Sequence, residues 1–292
     1  MKLLRTGPPG HERPAFVDDS GQIRDLSILD GDIDGAFLAT DGPARAAQAA
    51  QGGACPVIGE VDQGRVRLQG GARVGPPVAR PGKVVCIGLN YRDHAAETGA
   101  KIPSEPILFM KASNTVVGPY DDILVPRGSS KTDWEVELAV VLGRTARYLG
   151  SPDEAMGCVA GFTLSNDVSE REFQLERGGQ WDKGKCCETF NPMGPWLQTA
   201  DEVPAPQGIG LRCRVNGVTR QDGNTADMVF GVAHLVWYVS QFMVLEPGDV
   251  INTGTPAGVA LGSAGVPFLG AGDQVEIEGD GLGIQSCAVA QA

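Results

Sequence analysis

The segment DWEVELAVVLG, residues 133–143, joins an acidic pair to an apolar, valine-rich run. Apolar and β-branched runs between turn residues predict a strand, and successive side chains of a strand point to opposite faces. Glu135 and Glu137 therefore share one face, with Cα atoms about 6.6–7 Å apart. The two carboxylates are close enough to converge on one ion.

Two carboxylates so close together beside an apolar run need a cation or protons to offset their repulsion, unless they form a solvent-facing acidic stripe. Asp167 is a third acidic candidate, because with Asn166 it ends the apolar strand predicted within 159–168. It could instead cap the polar helix predicted to follow. Two Glu and one Asp give an all-oxygen set, which suits Mg²⁺, Mn²⁺ or Ca²⁺ better than Zn²⁺.

The chain has three histidines, of which one has an acidic neighbour at helical spacing. His94 and Glu97 lie three residues apart in a short helix predicted within 90–100, so their side chains can touch. A carboxylate beside an imidazole orients it and raises its basicity, as a general base for water requires. The alternative is a surface pair without chemistry. His11 is predicted to be solvated and His234 to pack in the core.

The bulk composition excludes several classes of function. The net charge of −12 argues against a nucleic-acid partner, and an anionic substrate would need a local cation. We find no apolar run of 18 residues and no apolar core of a secretion signal, so we expect no membrane partner. Seven cysteines without a C-x-x-C pair predict reduced thiols in a cytoplasmic protein.

The pattern of short strands and turns predicts a mainly β protein with a few helices, of the α+β class. Residues 1–75 are predicted to form a small N-terminal domain, with a short helix or a loop in the Ala-rich stretch 44–54. A Pro/Gly-rich joint follows, and residues 76–292 are predicted to form the catalytic domain. Residues 224–249 are predicted to form the one long helix, stopped by Pro247-Gly248.

Six segments in this order resemble the fumarylacetoacetate hydrolase family. They are IGLNYRDHAAE (87–97), KTDWEVELAVVLG (131–143), NDVSEREFQ (166–174), GKCCETFNPMGPWL (184–197), VNGVTRQDGNT (215–225) and GDVINTGTPAGV (248–259). The resemblance spans roughly residues 80–290, and residues 1–75 resemble the short N-terminal domain of many bacterial members. It implies a rolled mixed β-sheet and a homodimer or higher homo-oligomer.

The resemblance also implies roles for the acidic residues and the histidine pair. Glu135, Glu137 and Asp167 match the family's metal ligands, which implies one Mg²⁺ or Mn²⁺ ion per subunit. His94 and Glu97 match the water-activating pair of the hydrolytic members.

Three further positions match the family's catalytic lysine and substrate contacts. Lys185 corresponds to the lysine that lies seven residues before a proline, while Gln221 and Thr255 correspond to contacts of the substrate's carboxylate or oxo end. Cys186 and Cys187 are unusual neighbours for this lysine. A reactive thiol is an alternative at either cysteine, because Lys185 could lower its pKa.

The implied function is metal-dependent hydrolysis of a carbon–carbon bond in a 2,4-dioxo acid, giving pyruvate and a carboxylic acid. The substrate would be an acylpyruvate or a 2,4-dioxo-3-deoxy sugar acid, the latter because 176–185 and 253–259 resemble members that cleave such acids. The alternatives on the same site are decarboxylation of oxaloacetate and isomerisation of an unsaturated 2-oxo diacid. A non-catalytic metal or small-acid binding module would not need Lys185 or the histidine pair.

Overall fold

The computed structural model describes residues 1–29 and 31–292, and strands dominate it. The strands are β1 (Lys2–Thr6), β2 (Arg13–Val17), β3 (Gln22–Asp25), β4 (Val57–Asp62), β5 (Arg65–Leu68), β6 (Val74–Gly75), β7 (Val84–Gly88), β8 (Ile107–Lys111), β9 (Val116–Val117), β10 (Ile123–Val125), β11 (Thr132–Asp133), β12 (Val136–Leu142), β13 (Val159–Asn166), β14 (Ser169–Glu170), β15 (Asn191–Pro192), β16 (Leu197–Thr199), β17 (Gly210–Val215), β18 (Val218–Asn224), β19 (Val250–Asn252), β20 (Gln274–Gly279) and β21 (Gly283–Gln291).

The helices are short. The α-helices are α1 (Gly35–Ala39), α2 (Gly42–Gln51), α3 (Arg92–Glu97), α4 (Asp182–Lys185) and α5 (Val232–Val239). Single turns of 3₁₀-helix join many of the strands, and Glu172–Glu176 forms a turn of π-helix. The prediction of a mainly β fold with helices is confirmed, and the Ala-rich stretch is helical.

A 12-stranded mixed sheet carries the candidate site. Its order is β5-β4-β3-β2-β1-β16-β13-β12-β19-β7-β8, with β6 paired to β1. β19 and β7 run parallel, whereas β12 and β13 run antiparallel. β12 and β13, which end beside the acidic candidates, lie well inside this sheet. β12 is buried throughout, and β13 is buried from Gly161 onward, because the sheet is covered on both faces by apolar side chains.

The N-terminal strands extend this sheet directly. β1 pairs with β16, where Leu3 lies opposite Leu197. One apolar cluster joins Leu3 and Phe16 to Val141 and Val250. The division at residue 75 stays a prediction, but the two parts share both a sheet and a core.

A second sheet of five strands, β10-β21-β20-β17-β18, packs against the first. Leu164 of β13 contacts this sheet, because a Cβ added at Gly279 of β20 would lie 2.6 Å from its side chain. In the part of the chain that the structure describes, no helix is long and apolar enough to cross a membrane.

The prediction of one long helix over 224–249 is wrong. Asn224 caps only a 3₁₀ turn, and the α-helix is limited to Val232–Val239. The reason is tertiary: the carbonyl and side-chain oxygens of Asn90 accept hydrogen bonds from the amides of Val229 and Phe230 at 2.7 and 2.9 Å. These amides therefore remain in an extended segment instead of entering the helix.

Candidate active site

The three acidic candidates come together in the structure. Glu135 and Glu137 flank the start of β12, and Asp167 follows the end of the adjacent β13. Each offers one carboxylate oxygen within 4.8 Å of the others. All three are buried, with at most 5% exposure. The alternative of a solvent-facing stripe is therefore wrong. The alternative of a helix cap at Asp167 is also wrong, because strand β14 and not a helix follows it.

Two buried lysines neutralise part of this charge. Lys185 Nζ lies 2.8 Å from both Glu135 Oε2 and Asp167 Oδ2. Lys111 Nζ lies 2.5 Å from the other oxygen of Asp167. Burial alone would raise the pKa of Glu135, but Lys185 and Arg171 outweigh that effect and lower it to about 2. Attraction to the carboxylates likewise raises the pKa of Lys185 against the effect of its burial.

Sequence reasoning missed Lys111 and Arg171. Lys111 ends β8, and Arg171 forms ion pairs with Asp133 at 2.8 Å and with Glu135 at 2.7 Å. The only signal for Lys111 is a lysine after the apolar run ILFM, which also describes many strand ends. The signal for Arg171 is weaker, because it lies in the polar segment SEREFQ.

Glu137 is the carboxylate that lacks a cationic partner among the described residues. Its one hydrogen bond comes from the backbone amide of Gly254, at 2.8 Å. Burial, then the charges of Asp167 and Glu135, hold its pKa well above the usual range. A divalent cation would relieve this repulsion, and an all-oxygen, buried donor set suits Mg²⁺ or Mn²⁺. Glu135, Glu137 and Asp167 therefore fit a metal ion.

The histidine pair lies on α3, which covers the cavity and which we call the lid helix. His94 Nδ1 lies 3.3 Å from Glu97 Oε2. Glu97 also accepts hydrogen bonds from the amide of Gly258 at 3.0 Å and from the hydroxyl of Ser263 at 3.2 Å. Burial opposes ionisation of Glu97, but these hydrogen bonds outweigh it and lower its pKa. The ionised carboxylate holds the proton of the pair on Nδ1, which leaves Nε2 as an acceptor.

One loop contacts both the acidic cluster and the lid helix. Residues 253–259 include Gly254, whose amide binds Glu137, and Gly258, whose amide binds Glu97. Gly258 has φ +109° and a Cβ there would lie 1.9 Å from a backbone oxygen, so no larger side chain fits.

The two predicted substrate contacts differ in position. Thr255 lines the cavity, and its hydroxyl donates to the carbonyl of Val136 at 2.9 Å. Gln221 is fully buried behind it: its oxygen accepts from the amide of Val136, and its nitrogen donates to Thr255 and Pro256. The structure thus does not bring Gln221 to the cavity surface. Gln221 instead holds the backbone amide of Val136, the residue between the two glutamates, by a hydrogen bond. Direct contact of Gln221 with the substrate stays a prediction.

A cavity of about 430 Å³ connects these groups. His94, Glu97, Glu135, Glu137 and Lys185 all line it. The volume lies in the range of small-molecule sites.

The cysteines beside Lys185 do not form a nucleophile. Lys185 faces the carboxylates, and burial raises the pKa of Cys186 and raises that of Cys187 to about 11. Lys185 therefore does not lower the pKa of either thiol, which was the basis of the reactive-thiol alternative.

Comparison with known proteins agrees with this geometry. The family model described as fumarylacetoacetate (FAA) hydrolase C-terminal matches residues 83–290. The chain belongs to the fumarylacetoacetate hydrolase family. Members of this family are enzymes, and they typically bind a divalent metal.

Individual relatives cover the whole chain. A protein of Burkholderia multivorans named "Putative hydrolase" is 49% identical over 98% of this chain and 97% of its own length. The structure of a fumarylacetoacetate hydrolase from psychrophilic Exiguobacterium antarcticum superposes with a TM-score of 0.79, at 32% identity and covering 100% of each chain. A 2-hydroxyhepta-2,4-diene-1,7-dioate isomerase from Mycobacterium marinum gives a TM-score of 0.72 at 30% identity, covering 100% of this chain and 98% of its own. Relatives of this fold thus include both hydrolases and isomerases.

Proposed function

We propose that this protein hydrolyses the C3–C4 bond of a 2,4-dioxo acid, an acylpyruvate or a 2,4-dioxo-3-deoxy sugar acid, with Mg²⁺ or Mn²⁺ as cofactor. The products are pyruvate and a carboxylic acid. One observation carries the proposal: the His94–Glu97 pair lines the same cavity as Lys185 and two residues of the acidic cluster, Glu135 and Glu137. A water-activating base therefore lies beside groups that can stabilise an enolate.

The acidic cluster and its lysine act on the 2-oxo acid end of the substrate. Glu135, Glu137 and Asp167 would hold a divalent ion, which supplies Lewis-acid stabilisation of negative charge on the 2-oxo oxygen. Lys185 adds a fixed positive charge, because its ammonium group is held by Glu135 and Asp167. Its raised pKa keeps this charge at neutral pH.

The lid helix acts on water. His94 Nε2 takes a proton from a water molecule, whose oxygen forms a bond to C4, and Glu97 stabilises the resulting imidazolium. The C3–C4 bond then breaks, and its electron pair passes to C3 and is delocalised onto the 2-oxo oxygen beside Lys185. A proton delivered to C3 completes pyruvate, and the water oxygen stays in the carboxylic acid.

Product analysis in ¹⁸O-labelled water tests the proposed function. Butanoylpyruvate with Mg²⁺ should give pyruvate and butanoate in equal amounts, with one ¹⁸O atom in the butanoate. Absence of pyruvate from acylpyruvates and from 2,4-dioxo-3-deoxy acids alike would contradict the proposal.

Isomerisation is the second candidate, because a relative with the same fold is named an isomerase. It needs proton transfer between carbons but no attack by water. An unsaturated 2-oxo diacid would then change its absorbance without releasing pyruvate. Decarboxylation of oxaloacetate would release pyruvate and CO₂ but no second carboxylic acid.

The subunit arrangement is a separate proposal. We expect a homodimer, as the family resemblance implies, and light scattering coupled to size exclusion would measure its mass. A monomeric mass of 30.5 kDa would contradict it.

A further inference from the structure

The cavity has an apolar wall. Six large lining side chains are hydrocarbon or aromatic: Ile87, Leu89, Phe109, Leu175, Trp181 and Leu261. Phe109 and Trp181 meet edge to face, with ring centroids 5.4 Å apart. Trp181 also lies against Gly88, where an added Cβ would approach its ring to 2.7 Å. The aromatic wall is thus packed in place and leaves no room for an additional side chain.

This wall extends from the catalytic lysine to the cavity mouth. Lys185 Nζ lies 5.0 Å from the centroid of the Phe109 ring, so the wall begins beside the acidic cluster. Leu175 and Leu261 line the cavity and are 43% and 42% exposed, so they form its rim. A substituent that points away from the acidic cluster toward the rim therefore passes over apolar surface.

The cationic side chains that line the cavity already form salt bridges. Among the described lining residues they are Lys185 and Arg171, and each is paired with buried carboxylates. Glu97 adds a carboxylate on the lid side, with a lowered pKa that keeps it ionised. A second carboxylate on the substrate would thus lose water without gaining a cationic partner, which is costly.

The threonine hydroxyls that line the cavity already donate hydrogen bonds to backbone carbonyls. Thr98 donates to the carbonyl of His94 at 2.9 Å, and Thr255 donates to that of Val136. The side-chain oxygen of Gln174 accepts a hydrogen bond from Arg171, so only the neutral amide nitrogen of Gln174 is left to bind a ligand. The lining therefore offers few free hydrogen-bond donors to the part of the substrate that passes over the apolar wall.

We propose that the acyl group attached at C4 of the substrate is uncharged and ends in apolar carbon. The enzyme then selects monocarboxylic 2,4-dioxo acids over dicarboxylic ones. This inference rests on the proposed function, because it concerns the far part of the same substrate.

Binding of non-cleavable 2-oxo acids tests this selectivity without turnover. 2-Oxohexanoate and 2-oxoadipate differ only in a terminal methyl against a terminal carboxylate. Calorimetry at saturating Mg²⁺ should give at least about tenfold tighter binding of 2-oxohexanoate. Equal or tighter binding of 2-oxoadipate, or no binding of either acid, would overturn the inference.

Turnover of a matched pair separates this inference from the proposed function. Butanoylpyruvate and succinylpyruvate again differ in methyl against carboxylate, and kcat/KM should favour butanoylpyruvate by at least about tenfold. Comparable cleavage of both would overturn the selectivity but support the hydrolase. Cleavage of neither, nor of any 2,4-dioxo-3-deoxy acid, with 2-oxohexanoate still bound preferentially, would overturn the hydrolase but support the selectivity.

A substitution at the rim should reverse the preference. Leu175→Lys places a cation at the mouth and should raise kcat/KM for succinylpyruvate relative to butanoylpyruvate by about tenfold or more. Leu175→Met is the matched control, which keeps the side chain apolar and should keep the original preference. If Leu175→Lys leaves the ratio unchanged in a folded protein, the substituent does not pass this rim, and the inference fails.

Discussion

The acidic cluster and the lid helix face the same cavity but are held in different ways. Glu137 lies in β12 and Asp167 directly follows β13, both well inside the 12-stranded sheet, and salt bridges to Lys111 and Lys185 hold Asp167 in a buried core. The lid helix has six residues, and its contact with the loop at 253–259 consists mainly of hydrogen bonds at its edge. A change in the lid should therefore alter one chemical step, whereas a change in the cluster should alter every reaction of the site.

The largest effect is expected from removal of the metal. Treatment with excess chelator should abolish cleavage of an acylpyruvate and any decarboxylation of oxaloacetate, because both reactions need the metal ion to bind the 2-oxo acid end of the substrate. Mg²⁺ or Mn²⁺ should restore both activities, and Zn²⁺ alone should not. Glu137→Gln, which keeps the shape of the side chain, should weaken metal binding measured by calorimetry. Full activity in excess chelator would refute the metal site.

Substitution of the lid histidine should separate the two reactions. His94→Ala should slow hydrolysis by about 10²–10⁴-fold, the usual contribution of a general base. Any activity on oxaloacetate should fall much less, because decarboxylation needs no attack by water. Both substrates would be measured at saturating Mg²⁺, so that lost metal is not mistaken for lost chemistry. An equal loss of both activities would place His94 in the shared step.

Substitution of Lys185 should lower hydrolysis and decarboxylation together. Lys185→Met should lower both activities by about 10²–10³-fold, since both pass through an enolate. Lys183→Met is a matched control on the same short helix, because the Lys183 ammonium group contacts only the carbonyl of Arg177, at the surface, among the residues that the structure describes. It should leave both rates unchanged. Loss of hydrolysis alone in Lys185→Met would contradict the division between cluster and lid.

Displacement of the lid carboxylate should give a smaller effect. Glu97→Gln should slow hydrolysis by about tenfold, less than His94→Ala, because Glu97 orients and polarises the imidazole. Gly262→Ala should act in the same direction, since its methyl group would lie 2.4 Å from the Glu97 carboxyl carbon. Gly270→Ala, where the new methyl group meets no atom within 4 Å, is the control and should have no effect.

The smallest effect concerns lid stability and pH. The folded-state pKa of Glu97 lies below its unfolded value of 4.5, so its stabilising contribution is complete above that value. It is lost as the pH falls through the folded pKa. Hydrogen exchange, corrected for intrinsic rates, should then show the lid helix opening in acid while β12 stays protected.

Oxalate with Mg²⁺ at neutral pH should increase protection of residues 90–104, and unchanged protection would count against lid closure.

The same contrast explains what could be predicted from the sequence. The alternation of Glu135 and Glu137 and the spacing of His94 and Glu97 are local patterns, so their placement follows from strand and helix geometry. Lys111 is different, because only the sheet order brings the end of β8 beside Asp167. No spacing along the chain encodes a contact between residues 56 positions apart.

The wrong prediction of a long helix has a similar cause. The apolar residues before Val232 are predicted to be part of the helix. In the structure, however, the amides of Val229 and Phe230 donate hydrogen bonds to Asn90. Gln221 also could not be assigned from its neighbours, because its partners Val136 and Thr255 lie on other elements. Family resemblance supplied its position, and the fold places it one layer behind the cavity.

The loop at 253–259 fixes how far apart the two halves of the site can be. Only three residues, 255–257, separate the amide that binds Glu137 from the amide that binds Glu97. Inserting or deleting one residue would change this span by up to about 3.3–3.6 Å. That change matches the whole distance of about 3–3.5 Å at which water must approach a reacting carbon. Variation in length, which surface loops usually tolerate, should therefore be rare in this loop among functional relatives.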